Sequence, residues 1–205
     1  ESFIAYEGSK VGANGLIIET SDSVIVVDTP WNNEQTRKLI NWVREHIKKP
    51  ISFFVITHAH DDRIGGISLL KKEQIRSISG MLTAKAAIEA EFAQPDIIFE
   101  KDTLIEVNQM RLEIFYPGPG HTKDNVVVYV HSVDVLYGGC FLKNATTKSL
   151  GNIADADLNQ WPLSVRSMKS KFPDARIVIP GHGNLGSGAI ENTLKLLEQR
   201  AASHN

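Results

Sequence analysis

The sequence predicts an α/β fold of two stacked sheets with helices outside, built from two similar halves. Short runs rich in β-branched residues alternate with amphipathic helical segments along the chain. Two runs, residues 52–57 and 176–179, are almost wholly apolar, which is typical of strands covered on both faces. No repeat of fixed period and no low-complexity linker divides the chain, so we expect residues 1–205 to form one domain.

The first half contains strand and helix signals in alternation. The predicted strands cover residues 2–6, 15–20, 23–28 and 52–57. Glycine and small polar residues predict a hairpin loop over residues 7–14, between the first two strands. The predicted helices cover residues 33–48, where apolar side chains recur at helical spacing before Pro50, and residues 82–92.

The second half begins with a predicted hairpin and ends with a helix. The predicted strands cover residues 104–107, 111–116, 126–131, 135–137 and 176–179. The predicted helices cover residues 158–172 and 190–201. Pro162 falls near the first turn of the former helix, where a missing N–H costs least.

Composition excludes several classes of function. Lys and Arg number 22 against 24 Asp and Glu, so the net charge of −2 provides no general field for nucleic acid or an anionic membrane. No apolar run approaches the roughly 20 residues that a membrane span requires. Cys140 is the single cysteine, which excludes an internal disulfide. Nothing demands a dimer, so we expect a monomer that acts on a small molecule.

Potential metal ligands follow four of the strand-like runs. FFVIT leads to His58, EIFYPGPG to His121, VLYGG to Cys140 and RIVIPG to His182. Sites in α/β proteins gather where loops leave the ends of strands, because a rigid scaffold holds those loops. The four positions therefore predict a pocket at one edge.

The first of these positions opens the cluster HAHDDRIGG. Residues two apart in an extended loop point to the same side, so His58, His60 and Asp62 can face one point while Asp61 faces away. The alternative for Asp62 is a helix cap in front of Arg63. We expect the Gly65–Gly66 pair to let the backbone approach the site closely.

These side chains suit zinc, which binds imidazole, thiolate and carboxylate. Two sets of three ligands, each with an open position, are His58, His60 and His121, and Asp62, Cys140 and His182. A water between two zinc ions loses its proton near neutral pH and provides a hydroxide nucleophile. The pattern thus indicates a hydrolytic centre with two Zn²⁺ per chain.

Each residue also has an ordinary structural interpretation. A single histidine after a strand is more often structural than a ligand, and we apply this to His46, His131 and His204. Cys140 taken alone would be a small buried apolar residue. Ligand number and spacing together favour the metal site over these alternatives.

In this order HAHDDRIGG, GPGHTKDN, GGCFLKN and PGHG resemble the metallo-β-lactamases of subclass B1, from Asn14 to the closing helix. Subclass B2 has Asn at the position of His58, and subclass B3 lacks the cysteine. Glyoxalase II and related nucleases carry His where this chain has Arg63, and Asp where it has Cys140. The resemblance implies the αββα four-layer sandwich, with two mixed sheets face to face. Family members usually have a longer segment before Glu1, so we expect part of the first sheet to be missing.

The resemblance also implies roles for individual residues. His58, His60 and His121 are implied ligands of the first zinc, and Asp62, Cys140 and His182 of the second. Lys143 matches the lysine that pairs with the substrate carboxylate, and Asn152 the asparagine that helps to polarise the lactam carbonyl. Residues 7–14 match a mobile flap, whose apolar contact is reduced to Val11. Asp28 matches a buried aspartate that supports the loop of the first zinc, with a strand-end cap as the equal alternative.

The implied activity is hydrolysis of the β-lactam amide bond of penicillins, cephalosporins and carbapenems by a zinc-bound hydroxide oriented by Asp62. It implies a periplasmic bacterial protein that confers antibiotic resistance. Within the superfamily, the rival function is a thioesterase or phosphodiesterase, which Arg63 and Cys140 argue against. From another class, the rival is a non-catalytic zinc-binding protein, which the open coordination positions and Lys143 argue against.

Overall fold

A computed structural model describes residues 12–100, 102–186 and 188–203, together with the backbone of Phe3–Ile4. The chain divides into two compact units. The N-terminal unit comprises residues 1–101 and 106–110, and the C-terminal unit comprises residues 102–105 and 111–205. Of the predicted loop over residues 7–14, residues 7–11 lie outside the described residues, Val11 included.

The N-terminal unit contains a six-stranded mixed sheet in sequence order. Its strands are β1 (Phe3–Ile4), β2 (Leu16–Glu19), β3 (Val24–Val27), β4 (Ile51–Ile56), β5 (Arg76–Gly80) and β6 (Ile97–Phe99). The pairs β1–β2 and β2–β3 are antiparallel, and β3 to β6 run parallel. The carboxyl ends of β3 and β4 therefore meet at one edge of this sheet.

Helices connect the parallel strands of this sheet. They are α1 (Asn33–Trp42), α2 (Asp61–Ile64), α3 (Ile67–Lys72) and α4 (Met81–Glu89). The Asn32 side chain caps α1 by accepting a hydrogen bond from the Gln35 amide. The predicted helix over residues 33–48 continues past α1 as a π-helical turn, Val43–Ile47, which ends at Lys48 in the left-handed conformation.

The C-terminal unit is built on a five-stranded sheet, whose hairpin tip at residues 106–110 falls in the other unit. Its strands are β7 (Thr103–Val107), β8 (Met110–Phe115), β9 (Val127–Val130), β10 (Val135–Gly139) and β11 (Ile177–Pro180), in the order β11-β10-β9-β8-β7. The pair β10–β11 is parallel, while β8–β9 and β9–β10 are antiparallel. Two helices, α5 (Trp161–Lys171) and α6 (Ala189–Ala202), complete the unit, and Pro162 lies in the first turn of α5 as predicted.

Each unit has its own apolar core. In the N-terminal unit Phe54 and Ile56 pack with residues of α1, α2 and α3. In the C-terminal unit Trp161, Phe141 and Leu136 pack with residues of α5 and α6. Among the described residues, no helix combines the length and apolar character needed to cross a bilayer.

The segment between residues 61 and 80 differs most from the sequence prediction. The elements α2, α3 and β5, and β6 beyond them, lie where no bounded element was predicted. β5 reads RSISG, and its two serines are fully buried, so the hydropathy pattern hides a parallel strand. β6 has only three residues and pairs at the edge of the sheet, which leaves too short a pattern to read.

Candidate metal centre

The loop after β4 brings together three side chains of ligand type. His58, His60 and Asp62 each offer one ligand atom, and these atoms all lie within 4.8 Å of one another. The two imidazole rings meet edge to face, with centroids 4.8 Å apart. His58 and Asp62 are buried, and His60 is half-buried. The extended backbone at His60 agrees with the alternation inferred from the sequence, whereas Asp62 joins the group from the first turn of α2.

The alternative role of Asp62 as a helix cap is wrong. α2 begins at Asp61, so Asp62 lies inside its first turn and His60 occupies the N-cap position without a side-chain cap bond. The Asp61 side chain is exposed, as predicted. Asp62 instead forms an ion pair with Arg63, with Nη2 2.9 Å from Oδ2.

A buried polar network supports the His58 loop from below. Asp28, fully buried at the end of β3, accepts hydrogen bonds from the Thr57 amide (2.8 Å) and hydroxyl (2.9 Å). The Thr57 hydroxyl lies 3.3 Å from His58 Nδ1. Asp28 therefore supports the ligand loop, the first of its two predicted roles.

Arg63 ties this network to the chain segment just before β2. Its side chain is 1 % exposed, and Nη1 lies 3.6 Å from the Asp28 carboxylate. Nη1 also donates to the Asn14 carbonyl at 2.6 Å, just before β2. The sequence singled out Arg63 only as a family marker, because nothing in a linear pattern shows which carboxylates a buried cation will meet.

Gly65 and Gly66 serve packing rather than the ligand side of the loop. A Cβ at Gly65 would collide with the Trp31 and Asp61 carbonyls, and one at Gly66 with the Thr36 side chain. The two glycines therefore allow a close approach to the Trp31 and Asp61 backbone and to Thr36 of α1.

In the C-terminal unit the parallel strands β10 and β11 place two ligand-type side chains side by side. Cys140 follows β10 and His182 follows β11, with Sγ 3.3 Å from Nε2. Cys140 is 3 % exposed, and His182 is half-buried. A Cβ at Gly181 would lie 2.5 Å from the Cys140 backbone nitrogen, so only glycine allows the two chain segments this approach.

His121 lies in an ordered loop of the same unit. The Asn125 side chain fixes this loop by accepting from the Thr122 amide (3.0 Å) and donating to the Gly118 carbonyl (3.0 Å). His121 is 4 % exposed, and its ring centroid is 5.8 Å from that of Trp161. The loop thus presents a buried imidazole in a fixed position.

The two residues matched to substrate binding differ in exposure. Lys143 is 8 % exposed, and its Nζ lies 5.3 Å from the Trp161 ring centroid. Asn152 is exposed, and its Oδ1 accepts from the Ala154 amide at 3.1 Å. That bond turns the oxygen toward its own loop, which leaves the NH₂ group as the donor for a carbonyl.

The histidines interpreted as structural have structural contacts. His46 Nδ1 lies 3.0 Å from the Trp42 carbonyl, and the two rings stack. His131 Nε2 lies 3.0 Å from Glu113 Oε2. His204 lies outside the described residues.

The donors present within each unit fit zinc. Ligands at about 2.3 Å (sulfur) and about 2.1 Å (nitrogen) from a tetrahedral zinc ion stand roughly 3.5 Å apart, close to the 3.3 Å between Cys140 Sγ and His182 Nε2. Two imidazoles and a carboxylate gathered at His58, His60 and Asp62 are likewise a zinc-type donor set. Thiolate and imidazole argue against Ca²⁺ and Mg²⁺, which take oxygen ligands.

Comparison with known proteins defines the class. The sequence matches the metallo-beta-lactamase superfamily over residues 9–182, and the chain belongs to this superfamily. The structure of a metallo-beta-lactamase from Pontibacter korlensis superposes with a TM-score of 0.90 at 38 % identity, covering 96 % of this chain and 92 % of that one. The predicted α/β metallo-β-lactamase fold is therefore confirmed.

Curated relatives narrow the class further. A type 2 metallo-beta-lactamase of Bacillus sp. (strain 170) is 40 % identical over 194 residues, which are 94 % of this chain and 76 % of the relative. The type 2 enzyme of Bacteroides fragilis is 36 % identical over 92 % of this chain and 76 % of its own length. The prediction of subclass B1 is confirmed by these relatives.

Proposed function

We propose that the chain hydrolyses the amide bond of β-lactam antibiotics, carbapenems included, in a centre that holds two Zn²⁺ ions. The ligands proposed for the first ion are His58, His60 and His121, and those for the second ion are Asp62, Cys140 and His182. The observation that carries the proposal is the cluster of His58, His60 and Asp62, whose ligand atoms lie within 4.8 Å of one another. The 3.3 Å approach of Cys140 to His182 supports it independently.

Bound zinc supplies Lewis-acid polarisation of the lactam carbonyl and activation of water at neutral pH. The chain's own residues bind the substrate and orient the reacting groups. The Arg63 guanidinium lies 2.9 Å from the Asp62 carboxylate and restricts its movement, and this carboxylate would orient the nucleophile. The Asn152 NH₂ group donates to the carbonyl oxygen as charge develops there.

Lys143 binds the carboxylate that most β-lactam nuclei carry beside the ring nitrogen. Its ammonium is a compact charge on a flexible stem, and burial among Trp161 and its neighbours reduces competition from water. The substrate is thereby oriented with its amide bond toward the ligand cluster. The proposed residues include no serine and therefore no acylating Ser-His-Asp triad. The proposed mechanism accordingly has no covalent acyl-enzyme.

The compartment proposed for this activity is the bacterial periplasm, where the protein acts as a monomer. The single thiol, Cys140, is buried and, as a zinc ligand, is protected from oxidation in that compartment. Release of the native protein by osmotic shock, and its elution at the mass of one chain on a sizing column, test both statements.

Hydrolysis of a chromogenic cephalosporin before and after dialysis against a chelator tests the activity. We expect turnover to disappear with the metal and to return on addition of Zn²⁺. Turnover that survives complete removal of zinc contradicts the proposal. Zinc binding with no hydrolysis of any β-lactam would instead identify a zinc-sequestering protein, and hydrolysis of thioesters or phosphodiesters alone a different superfamily activity.

Substitution of Cys140 tests the assignment of ligands to the two ions. Cys140→Ser replaces a thiolate by a weak hydroxyl ligand, so we expect the second zinc to bind at least tenfold more weakly while the first is little changed. Zinc titration with a competing chromophoric chelator measures both affinities. Equal weakening of the two sites rules out the proposed partition. Ser149→Ala, an exposed serine change in the same unit, is the matched control.

A further inference from the structure

Trp161 lies beside two of the residues that the proposed function uses in the C-terminal unit. It is fully buried at the start of α5. The Lys143 ammonium lies 5.3 Å from its ring centroid, which is cation–π distance. The His121 ring is tilted by 53° against it, with centroids 5.8 Å apart. One indole therefore touches both a proposed metal ligand and the proposed carboxylate-binding lysine.

The indole itself is held rigidly. Its Nε1–H donates to the Phe141 carbonyl at 3.0 Å, and the Phe141 ring stacks on it at 6.4 Å between centroids. The Trp161 amide donates to the Asp157 carbonyl, and the Asp157 amide donates to the Gly120 carbonyl, so the start of α5 is tied to the residue before His121. A Cβ at Gly120 would lie 3.0 Å from Trp161 Cδ1. The loop of His121 thus packs directly on the ring.

The backbone of Lys143 is fixed from the other side. Its amide donates to the Thr193 hydroxyl at 2.8 Å, and that hydroxyl donates to the Ala189 carbonyl at 2.6 Å. With its backbone anchored on α6 and its ammonium over the indole, the lysine is restricted at both ends. A lysine normally loses rotamer freedom when a ligand immobilises it. Here the fold has already restricted that freedom.

We propose that Trp161 is a positioning residue for substrate recognition, which preorganises the Lys143 ammonium to receive the substrate carboxylate. This inference rests on the proposed function of Lys143. It goes beyond that function by assigning the restraint of the Lys143 ammonium to the Trp161 ring. It predicts that the indole controls affinity for the carboxylate rather than the rate of the chemical step.

The first test needs neither substrate nor activity. Reductive ¹³C-methylation keeps lysine charged, and a methylated ammonium over an indole has its NMR resonance shifted upfield by the ring current. Lys171, whose ammonium lies 5.8 Å from the Phe115 ring centroid, should give an upfield resonance in every variant. The resonance of Lys143 should be absent in Lys143→Arg, retained at smaller shift in Trp161→Phe and lost in Trp161→Leu. If Lys143→Arg removes no upfield resonance, the inference is overturned. This result does not depend on any substitution of Trp161 in the apolar core.

The second test separates KM from kcat. With a carboxylate-bearing cephalosporin we expect Trp161→Leu to raise KM by about three- to tenfold. Any change in kcat through the His121 loop, which packs on the same ring, should be equal for this substrate and its methyl ester. With the methyl ester of the same cephalosporin, KM should stay at the parent value. The matched control is Met168→Leu, a volume-conserving change at a fully buried position of the same helix.

The two tests fail in different ways. An equal rise in KM for acid and ester shows that Trp161 acts only through general packing, and overturns the inference. If Trp161→Leu does not fold, Trp161→Phe and Lys143→Arg still decide the NMR result. If the parent protein hydrolyses neither cephalosporin, the proposed function fails, while the NMR result independently accepts or rejects the contact.

Discussion

At the scale of single residues, Arg63 and Asp28 determine how the His58 loop is held. Both are buried, and Arg63 bridges Asp28, Asp62 and the Asn14 carbonyl. Removing one partner of a buried ion pair commonly costs about 3–5 kcal/mol, because the other charge stays in a low-dielectric environment. Asp62 shares the charge of Arg63, so the loss of Asp28 alone should cost less.

We therefore predict that Asp28→Asn lowers the free energy of unfolding by about 2 kcal/mol. Asparagine also tolerates the left-handed backbone at Asp28, where φ is 66°, so the change removes charge without added strain. Urea denaturation of the metal-free protein measures it. Asp61→Asn, an exposed neighbour on α2, should change stability by less than about 0.5 kcal/mol. Equal effects of the two changes would show that the buried network adds nothing.

The sequence was sufficient to predict the ligand-type residues but not the residues that support them. His58, His121, Cys140 and His182 could be found because their chemistry is unusual and each follows a strand. Thr57, Arg63 and Trp161 have no such signal, since their roles depend on partners distant in the chain. Asp28 could be ranked only as one of two alternatives until its bonds to Thr57 were visible.

At the scale of elements, the parallel pair β10–β11 brings Cys140 beside His182, and Gly181 makes the approach possible. Gly181→Ala would put a Cβ 2.5 Å from the Cys140 nitrogen, so the two strand ends must separate. We predict that this change weakens binding of the second zinc by at least tenfold, as measured by competition with a chelator. Ser149→Ala is again the control, because that side chain is exposed in the same unit. Unchanged zinc affinity in Gly181→Ala would contradict this account of the strand ends.

An ion cluster joins α5 to β8 in the same unit. Glu113 Oε1 lies 2.8 Å from Lys171 Nζ and Oε2 lies 3.0 Å from His131 Nε2. Partial burial tends to raise the pKa of Glu113, but the hydrogen bonds from Lys171 and His131 outweigh it and lower the pKa below 4.5. A lowered carboxyl pKa stabilises the fold above pH 4.5, and this stability is lost as the pH falls through the lowered value.

We predict that Glu113→Gln lowers the free energy of unfolding by about 1 kcal/mol at pH 7. The difference in stability between this variant and the parent should disappear as the pH falls through the lowered pKa of Glu113. Urea midpoints between pH 3 and pH 7 measure it. The exposed pair of Arg166 and Glu198 offers the control Glu198→Gln, which should have little effect at any pH. A difference that grows toward acid pH would contradict the sign of the shift.

The helices and strands that could be predicted are those whose hydrophobic residues recur at a clear helical or strand spacing. The helix α6 and the strands β4 and β9 follow their hydrophobic patterns within a residue or two. The helix predicted over residues 33–48 is continuous, but its last turn is π-helical, a change in hydrogen bonding that hydropathy does not record. β5 was missed because its buried serines make a strand look like a loop.

At the scale of the whole molecule, the proposed zinc ions should contribute to the stability of the native state. Zinc bound only to the native state stabilises it by RT ln(1 + [Zn]/Kd), about 4 kcal/mol when free zinc is a thousandfold above Kd. We predict that chelation lowers the melting temperature by roughly 10 °C and that added zinc restores it. Calorimetry of His60→Ala, which lacks a proposed ligand, should show a smaller response. An unchanged melting temperature after complete chelation would contradict a zinc site that contributes to folding.

Anomalous diffraction at the zinc edge, from crystals grown with excess zinc, tests the dizinc centre most directly. The account predicts two anomalous peaks per chain, one bound by three imidazoles (His58, His60, His121) and the other by Asp62, Cys140 and His182. A single peak, or a second peak that lacks the Cys140 sulfur or the His182 imidazole, would contradict it.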